Sequence, residues 1–432
     1  MIDVLCISGP SKPLSGRVVV SGAKNASLPL LFASLLTGEP CVFDNVPDLE
    51  DTNATLRILR SFGARYEYRD NQVKIHTEKL VSTTAPYGLV KAMRASFWLM
   101  GPLLARAGRA SVSLPGGDAI GTRPVDLHLK GLSAFGAEFR MDHGVVHAEA
   151  PGGLRPAEIN LDFPSVGATH NILMAASLIP GRSVLRGAAR EPEIVDVCAF
   201  LESLGAEISG AGTDEISIVG TDRPGSGYHR VVGDRIEAAT MLLAAAVTAG
   251  EIQLEGISAS ILDSTLLLLR QMGCEIIISE SGDVINLKAP MELKSISFET
   301  APYPGVATDV QAIFLAALTR AAGVSVIKEN IFESRFGHVA EYRRFGADIQ
   351  ISGRQAEVVG VPNLSGAPVE AHDIRAAAGL VIMGLLAEGT TQIRELHHLD
   401  RGYERMAEKL KSLGADIVRV PAIDAREVVV GC

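Results

Sequence analysis

Ser203-Leu204-Gly205-Ala206 is the stretch on which the fold turns. Upstream of it Ile194, Val197, Leu201 and Leu204 keep helical spacing. A glycine just past the last apolar residue is where a helix stops in the left-handed conformation. The same pattern, an apolar helix end followed by Gly-Ala or Gly-Cys and a short strand, recurs at Phe62-Gly63-Ala64, Phe135-Gly136-Ala137, Met272-Gly273-Cys274, Phe345-Gly346-Ala347 and Leu413-Gly414-Ala415. Successive glycines lie 73, 69, 68, 73 and 68 residues apart. A period near 70 exceeds the common solenoid units and points to one supersecondary module used six times.

Each module also carries a second helix that is apolar nearly all round. The six are expected over 25–36, 91–104, 168–178, 236–247, 310–318 and 374–386. A helix without a polar face is buried. β-rich runs follow most of them, as in Gly250-Glu251-Ile252-Gln253-Leu254 and Gly389-Thr390-Thr391-Gln392-Ile393. The expectation is an α/β protein with helices inside and sheets outside, in two lobes of three modules each.

The inner helices open on polar residues. These are Lys24-Asn25, Lys91 to Arg94, Ser165-Val166-Gly167, Asp234-Arg235-Ile236-Glu237, Thr308-Asp309-Val310-Gln311 and His372-Asp373-Ile374-Arg375. Thr308 with Gln311, and Asp234 with Glu237, have capping-box spacing. Acids near helix N-termini need no further explanation. Bases there oppose the macrodipole, and Lys24, Arg94, Arg375 and Arg401 are read as such placements. Helix starts combined with arginines form anion sites. Leu114-Pro115-Gly116-Gly117-Asp118-Ala119-Ile120-Gly121-Thr122-Arg123-Pro124-Val125-Asp126-Leu127-His128 has the same logic. Its glycines free a loop, and Pro124 suits the first turn of a helix with Arg123 at its mouth.

The chain has 432 residues and a net charge of −10, which argues against non-specific nucleic-acid binding. Its five cysteines, Cys6, Cys41, Cys198, Cys274 and Cys432, are scattered without C-x-x-C. They read as reduced thiols in a cytoplasmic protein without a zinc site. The start lacks a signal-like segment, and the longest apolar runs are too short to span a bilayer. No G-x-G-x-x-G follows a strand, and neither G-x-x-x-x-G-K-[ST] nor G-x-S-x-G occurs.

Ser21-Gly22-Ala23-Lys24-Asn25-Ala26, Arg94-Ala95-Ser96, the 115–128 stretch, Arg190-Glu191-Pro192-Glu193, Thr308-Asp309-Val310-Gln311 and Asp400-Arg401-Gly402-Tyr403-Glu404-Arg405 together resemble the UDP-N-acetylglucosamine enolpyruvyl transferases, over essentially the whole chain and in order. The resemblance implies a two-lobed inside-out α/β barrel of six repeats. Lobe 1 spans 22–232, with a mobile loop at about 114–124. Lobe 2 spans 1–21 plus 233–432. It implies transfer of the enolpyruvyl group of phosphoenolpyruvate to the sugar 3′-hydroxyl through a tetrahedral ketal, with loss of phosphate, as the first committed step of peptidoglycan synthesis. No metal or organic cofactor, nucleic acid or membrane insertion is called for.

Carried over residue by residue, the resemblance makes Lys24, Arg123 and Arg401 ligands of phosphoenolpyruvate, Asn25 a sugar contact, and Asp309 the base for the 3′-hydroxyl. Arg94, Arg123, Pro124, Val125, Asp126, Leu127, Phe163, Pro164, Ser165, Val166 and Ile331 line the nucleotide-sugar site. Arg335, Asp373 and Arg375 complete it. Two positions depart from the family pattern. Asp118 stands where most members have cysteine, and Phe163-Pro164 replaces a Lys-Val pair of one branch. An unperturbed aspartate is only about 0.1% protonated at pH 7, so Asp118 is expected to protonate C3 or to assist product release only in a closed, ligand-bound state. Fosfomycin, an epoxide that alkylates the family's cysteine, is expected to fail here. The sister family that uses shikimate 3-phosphate shares the fold and chemistry and is the alternative. A ring-shaped nucleic-acid clamp would need basic inner helices, which this chain lacks, and a catalytically silent ligand-binding paralogue would not need the full set of charged residues.

Overall fold

The computed structural model describes residues 3–90, 93–114 and 125–421, and of Arg94 only the backbone. Backbone packing divides these into two compact units, one of residues 22–114 and 125–232, the other of residues 3–21 and 233–421.

The repeat glycines do what their spacing requires. Gly63, Gly136, Gly205, Gly273, Gly346 and Gly414 have φ of 101, 96, 109, 100, 89 and 105°. That region excludes side chains, so the six positions are fixed by backbone geometry. In five of them the next residue's amide closes back on the helix, as Ala206 N–H does on Leu201 O at 3.2 Å and Ala415 N–H on Leu410 O at 3.1 Å. This is the Schellman pattern, and it turns each outer helix into its strand.

The inner helices are α1 (Lys24–Ala33), α2 (Met100–Ala107), α3 (Val166–Ala176), α4 (Arg235–Val247), α5 (Thr308–Leu318) and α6 (Ile374–Leu386). Every residue of α6 is buried, Arg375 included. The expected helix over 91–104 is instead wound as 3₁₀ over Arg94–Leu99, with α-helix only from Met100. Lys91 and Ala92 lie outside the described residues. Helical apolar spacing does not distinguish the two windings over one or two turns.

Among the described residues, six separate sheets lie outside the helices, three per unit. Among the described residues no ladder closes on itself, so the barrel of the sequence reading is a set of open sheets rather than one closed one. The plan repeats. After five of the inner helices the strand pairs antiparallel with one arm of a hairpin, and in most sheets it also pairs parallel with a strand from elsewhere. Glu251–Glu255 pairs with Val284–Lys288 antiparallel and with Ser15–Val19 parallel. Cys41–Asp44 takes Gly227–Arg230 as its parallel partner. The sheet of Arg109–Ser113 has only a single parallel bridge, Thr84 to Ser111. In the last sheet Asp3–Gly9, the first of the described strands, is an inner strand held between Gly389–Arg394 and Ile417–Pro421. Strand burial alternates, as in Val284–Lys288, so each sheet covers the helices with one face. In the 233–421 unit α4, α5 and α6 also pack on one another.

Candidate active site

In the 3–21/233–421 unit the starts of α5 and α6 bring four charged groups together. Asp373 caps α6, its Oδ1 accepting the Arg375 and Ala376 amides at 2.8 and 2.9 Å. Arg375, one turn-position further, sends its Nε to Asp309 Oδ1 at 2.7 Å. Asp309 is the second residue of α5. Arg335, in the turn before helix Val339–Arg344, reaches Asp309 Oδ1 at 4.0 Å and Asp373 Oδ1 at 3.9 Å. The Arg375 guanidinium also lies over the Tyr403 ring, 5.6 Å from its centroid. A buried arginine at the positive end of a helix is disfavoured alone, and the two carboxylates offset that cost.

The electrostatics follow from this packing. Burial opposes ionisation of Asp309, but the Arg375 and Arg335 charges outweigh it and hold the carboxyl well below the usual range. Burial likewise opposes ionisation of Asp373, and Arg335 with the helix-start amides overcomes it. Asp309 is therefore an ionised acceptor, with 31% of its side chain exposed. Arg335 is only 4% exposed. Among the described residues, Arg335 Nε and Arg375 Nη1 are buried donors without a hydrogen-bond partner. Unused guanidinium donors beside an ionised carboxylate are suited to an anion that approaches a proton acceptor.

The other expected residues of this unit fall nearby in the chain. Ile331 is half-buried in the turn that precedes Arg335. Arg401 is half-buried, and it caps the C-terminal end of the four-residue helix His397–Asp400. It does not sit at a positive helix end, so the macrodipole reasoning fails for it. Its neighbour Gly402 packs so closely that an added Cβ would lie 2.2 Å from Ile374 Cγ2 and 3.7 Å from Arg375 Nη1. The capping boxes are also revised. Thr308 is the first residue of α5 rather than its cap, and its hydroxyl donates to Glu329. Gln311 is buried with neither side-chain polar atom partnered among the described residues. Asp234 does cap α4, accepting the Ile236 and Glu237 amides at 2.8 and 3.1 Å. Glu237, however, pairs with Lys409 instead of returning to Asp234.

In the 22–232 unit Lys24 is the first residue of α1. Its Nζ lies 2.7 Å from Asp51 Oδ2, and both side chains are under a tenth exposed. Asn25 is half-buried beside it. Ser165 caps α3, its Oγ accepting the Ala168 amide at 3.3 Å. The helix expected after Pro124 starts at Asp126 with Val125 buried at its cap, so its first turn lies past that proline. Asp126 is exposed and Leu127 half-buried. The start of this helix is joined to the middle of α3 by one side-chain amide. Asn171 donates to His128 Nδ1 at 2.8 Å and to Phe97 O at 2.9 Å, and accepts the Gly101 amide at 2.9 Å. The bond to Nδ1 leaves the His128 proton on Nε2. Pro164 and Val166 are half-buried, and Phe163 is 48% exposed. Asp118, Arg123 and Pro124 lie outside the described residues, as does the Arg94 side chain.

Sequence reading missed Asp51 and Glu329. Asp51 looks like any acid in a helix's first turn, and Glu329 like any acid at a strand end. No local signal marks either pairing. Among the described residues, no group of three His, Cys, Asp or Glu side chains is placed to hold a metal ion, and no helix is long and apolar enough to cross a membrane.

Comparison with known proteins places the whole chain. The family model described as EPSP synthase (3-phosphoshikimate 1-carboxyvinyltransferase) matches residues 9–410. A protein of Trichlorobacter lovleyi named UDP-N-acetylglucosamine 1-carboxyvinyltransferase is 50% identical over 97% of this chain and 99% of its own. Among solved structures, the enolpyruvyl transferase NikO from Streptomyces tendae superposes with a TM-score of 0.86 at 26% identity, covering 98% of this chain and 100% of that one. EPSP synthase from Acinetobacter baumannii shares the fold, with a TM-score of 0.76 at 21% identity over 97% and 100%. The chain belongs to the EPSP synthase family of carboxyvinyl transferases, in the branch whose members carry the name UDP-N-acetylglucosamine 1-carboxyvinyltransferase.

Proposed function

We propose that this chain transfers the enolpyruvyl group of phosphoenolpyruvate to the 3′-hydroxyl of UDP-N-acetylglucosamine and releases phosphate. The observation that carries the chemistry is the Asp309–Arg375–Arg335 cluster, an ionised carboxylate flanked by buried guanidinium groups with unused donors. Family membership, at about half identity with relatives bearing that name, favours the nucleotide sugar over shikimate 3-phosphate as acceptor.

In this reading Asp309 takes the proton of the 3′-hydroxyl as its oxygen attacks C2 of phosphoenolpyruvate. Asp118 delivers a proton to C3, giving a tetrahedral ketal. Loss of a proton from C3 and departure of phosphate then restore the double bond. Lys24, Arg123 and Arg401 hold the anionic groups of phosphoenolpyruvate, and Arg335 and Arg375 stabilise charge that develops at the reacting carbons. Asp51 holds the Lys24 ammonium by a short ion pair. Arg94, Arg123 to Leu127, Phe163 to Val166 and Ile331 receive the nucleotide sugar, with Asn25 on the sugar itself. The ionised state of Asp309 supports the role of base, because a general base must be deprotonated at working pH. The reaction is the committed entry to peptidoglycan, takes place in the cytoplasm, and serves cell-wall growth, shape and division.

The test is phosphate release from phosphoenolpyruvate with each acceptor in turn. Turnover with UDP-N-acetylglucosamine and none with shikimate 3-phosphate is expected. The opposite preference refutes the assignment.

A further inference from the structure

Glu329 ends the strand Val324–Lys328 and is fully buried, at 0% exposure. A buried carboxyl group is costly unless its oxygens are engaged. Here all the engagement is with two neighbouring segments. Oε1 accepts the backbone amides of Ile331 and Phe332 at 2.8 and 3.1 Å. Oε2 accepts the Thr308 hydroxyl at 2.9 Å. The first pair folds residues 329–332 into a turn around the carboxyl. The second ties that turn to the first residue of α5, beside Asp309. Asn330 adds a clamp on the outer side, its amide donating to Thr300 Oγ1 at 2.9 Å and its Nδ2 to Thr300 O at 3.0 Å. The turn then leads into Arg335, 4.0 Å from Asp309.

We infer that Glu329 is a positioning residue: its carboxyl sets the register between the turn bearing Ile331 and the helix start bearing Asp309. The inference rests on the proposed roles of those two residues. Through Ile331 and Asp309, Glu329 fixes where the nucleotide sugar lies relative to the group that deprotonates it. It touches neither substrate. Thr308 serves this link and not a helix cap, which explains why its hydroxyl points away from the α5 amides.

Replacing the carboxyl frees both segments at once. A misplacement of about 1 Å at a reacting group costs about a hundredfold in rate. E329A is therefore expected to lower kcat/KM for UDP-N-acetylglucosamine by about ten- to a hundredfold. Saturation with phosphoenolpyruvate should change little, because neither linked segment is assigned to that substrate. E329Q should recover most of the activity, since its amide oxygen accepts the two backbone amides and its nitrogen reaches a Thr308 hydroxyl turned to accept. T308V breaks only the link to α5 and should lower the same kcat/KM in the same direction. T308V/E329A should be no worse than E329A, because both remove one connection.

The experiment measures steady-state phosphate release against each substrate for the full chain and these variants, with thermal melts alongside. A fall in kcat, or a rise in KM for the sugar nucleotide, with KM for phosphoenolpyruvate unchanged and rescue by E329Q, supports the inference. An equal rise in KM for both substrates, unchanged kinetics, or additive effects of T308V and E329A overturn it. If E329A does not fold, T308V decides: an unchanged kcat/KM for the sugar nucleotide overturns the inference. A wild-type chain that turns over only with another acceptor refutes the proposed function itself, and the inference falls with it.

Discussion

Replacing Arg375 by glutamine removes the charge closest to Asp309 while keeping much of the side chain's bulk. The Nε to Oδ1 contact is 2.7 Å. With charge centres about 4 Å apart and an effective dielectric of about 20, the attraction is about 4 kcal/mol. Asp309 keeps 31% of its side chain in solvent, so screening brings this to about 2 kcal/mol. That is about 1.5 pK units on the Asp309 carboxyl. The sign is fixed by the direction of the shift. Arg375 depresses the carboxyl, so the ionised base persists to low pH in the wild type and is lost as pH falls through the depressed value. Without Arg375, partial burial acts with Arg335 and Arg235 against it, and the acid limb moves upward. The assay is kcat/KM for UDP-N-acetylglucosamine by phosphate release, from the lowest pH at which each chain stays folded up to about pH 8. R375Q should show an acid limb about 1.5 units above that of the wild type. A melting curve separates this from unfolding. A folded R375Q with the wild-type acid limb would refute the view that Arg375 sets the basicity of Asp309.

Three further perturbations probe other parts of the molecule. At Asp118, D118N should lose about 10²–10⁴-fold in turnover if the carboxyl is the general acid, and D118C should acquire a fosfomycin adduct that intact-mass spectrometry does not find in the wild type. Burial pushes the His170 imidazole down from 6.5 to about 4, so the unfolded chain takes up its proton first. Stability is present above pH 6.5 and lost as pH falls toward 4, by up to about 3 kcal/mol, and urea unfolding of H170Q should lack that component. Arg106 donates to four carbonyls, Leu35 and Thr37 at 3.0 and 2.8 Å and Thr77 and Glu78 at 2.8 and 3.0 Å. R106M leaves all four short of a charged donor and should cost about 3 kcal/mol by thermal denaturation.

The repeat was legible because it is written in local terms. A glycine that must take φ near 100° has no substitute, and six of them announce the module. The inner helices were legible as all-apolar runs. The pairing of Ser15–Val19 with Glu251–Glu255 was not, because strand partners more than 200 residues apart leave no trace in either stretch. Arg401 was misread because a helix of four residues, His397–Asp400, is too short to show a period. The 3₁₀ winding at Arg94–Leu99 escaped for the same reason. Thr308 had the spacing of a cap, but a buried carboxylate 21 residues on competed for its hydroxyl and won. The candidate site was visible as residue types at helix starts. Its second layer, Asp51 behind Lys24 and Glu329 behind Thr308, exists only in three dimensions.

Asp3–Gly9, one of the two inner strands of the last sheet, is made long before the strands that flank it. Gly9 pairs with Gly389, so 380 residues must be added before Asp3–Gly9 meets its partner. At translation speeds of about 5–20 residues per second that interval is roughly 20 to 75 s. During it Val4, Leu5, Cys6 and Ile7, all buried at the end, emerge from the ribosome with neither neighbour. Among the described residues, the 22–232 unit has all its paired strands once Gly227–Arg230 has been made. The other unit cannot complete its sheet until Ile417–Pro421 has been made. Until then the early strand depends on whatever shields nascent apolar segments, and a truncation before Ile417–Pro421 would leave it without one of its two partners for good.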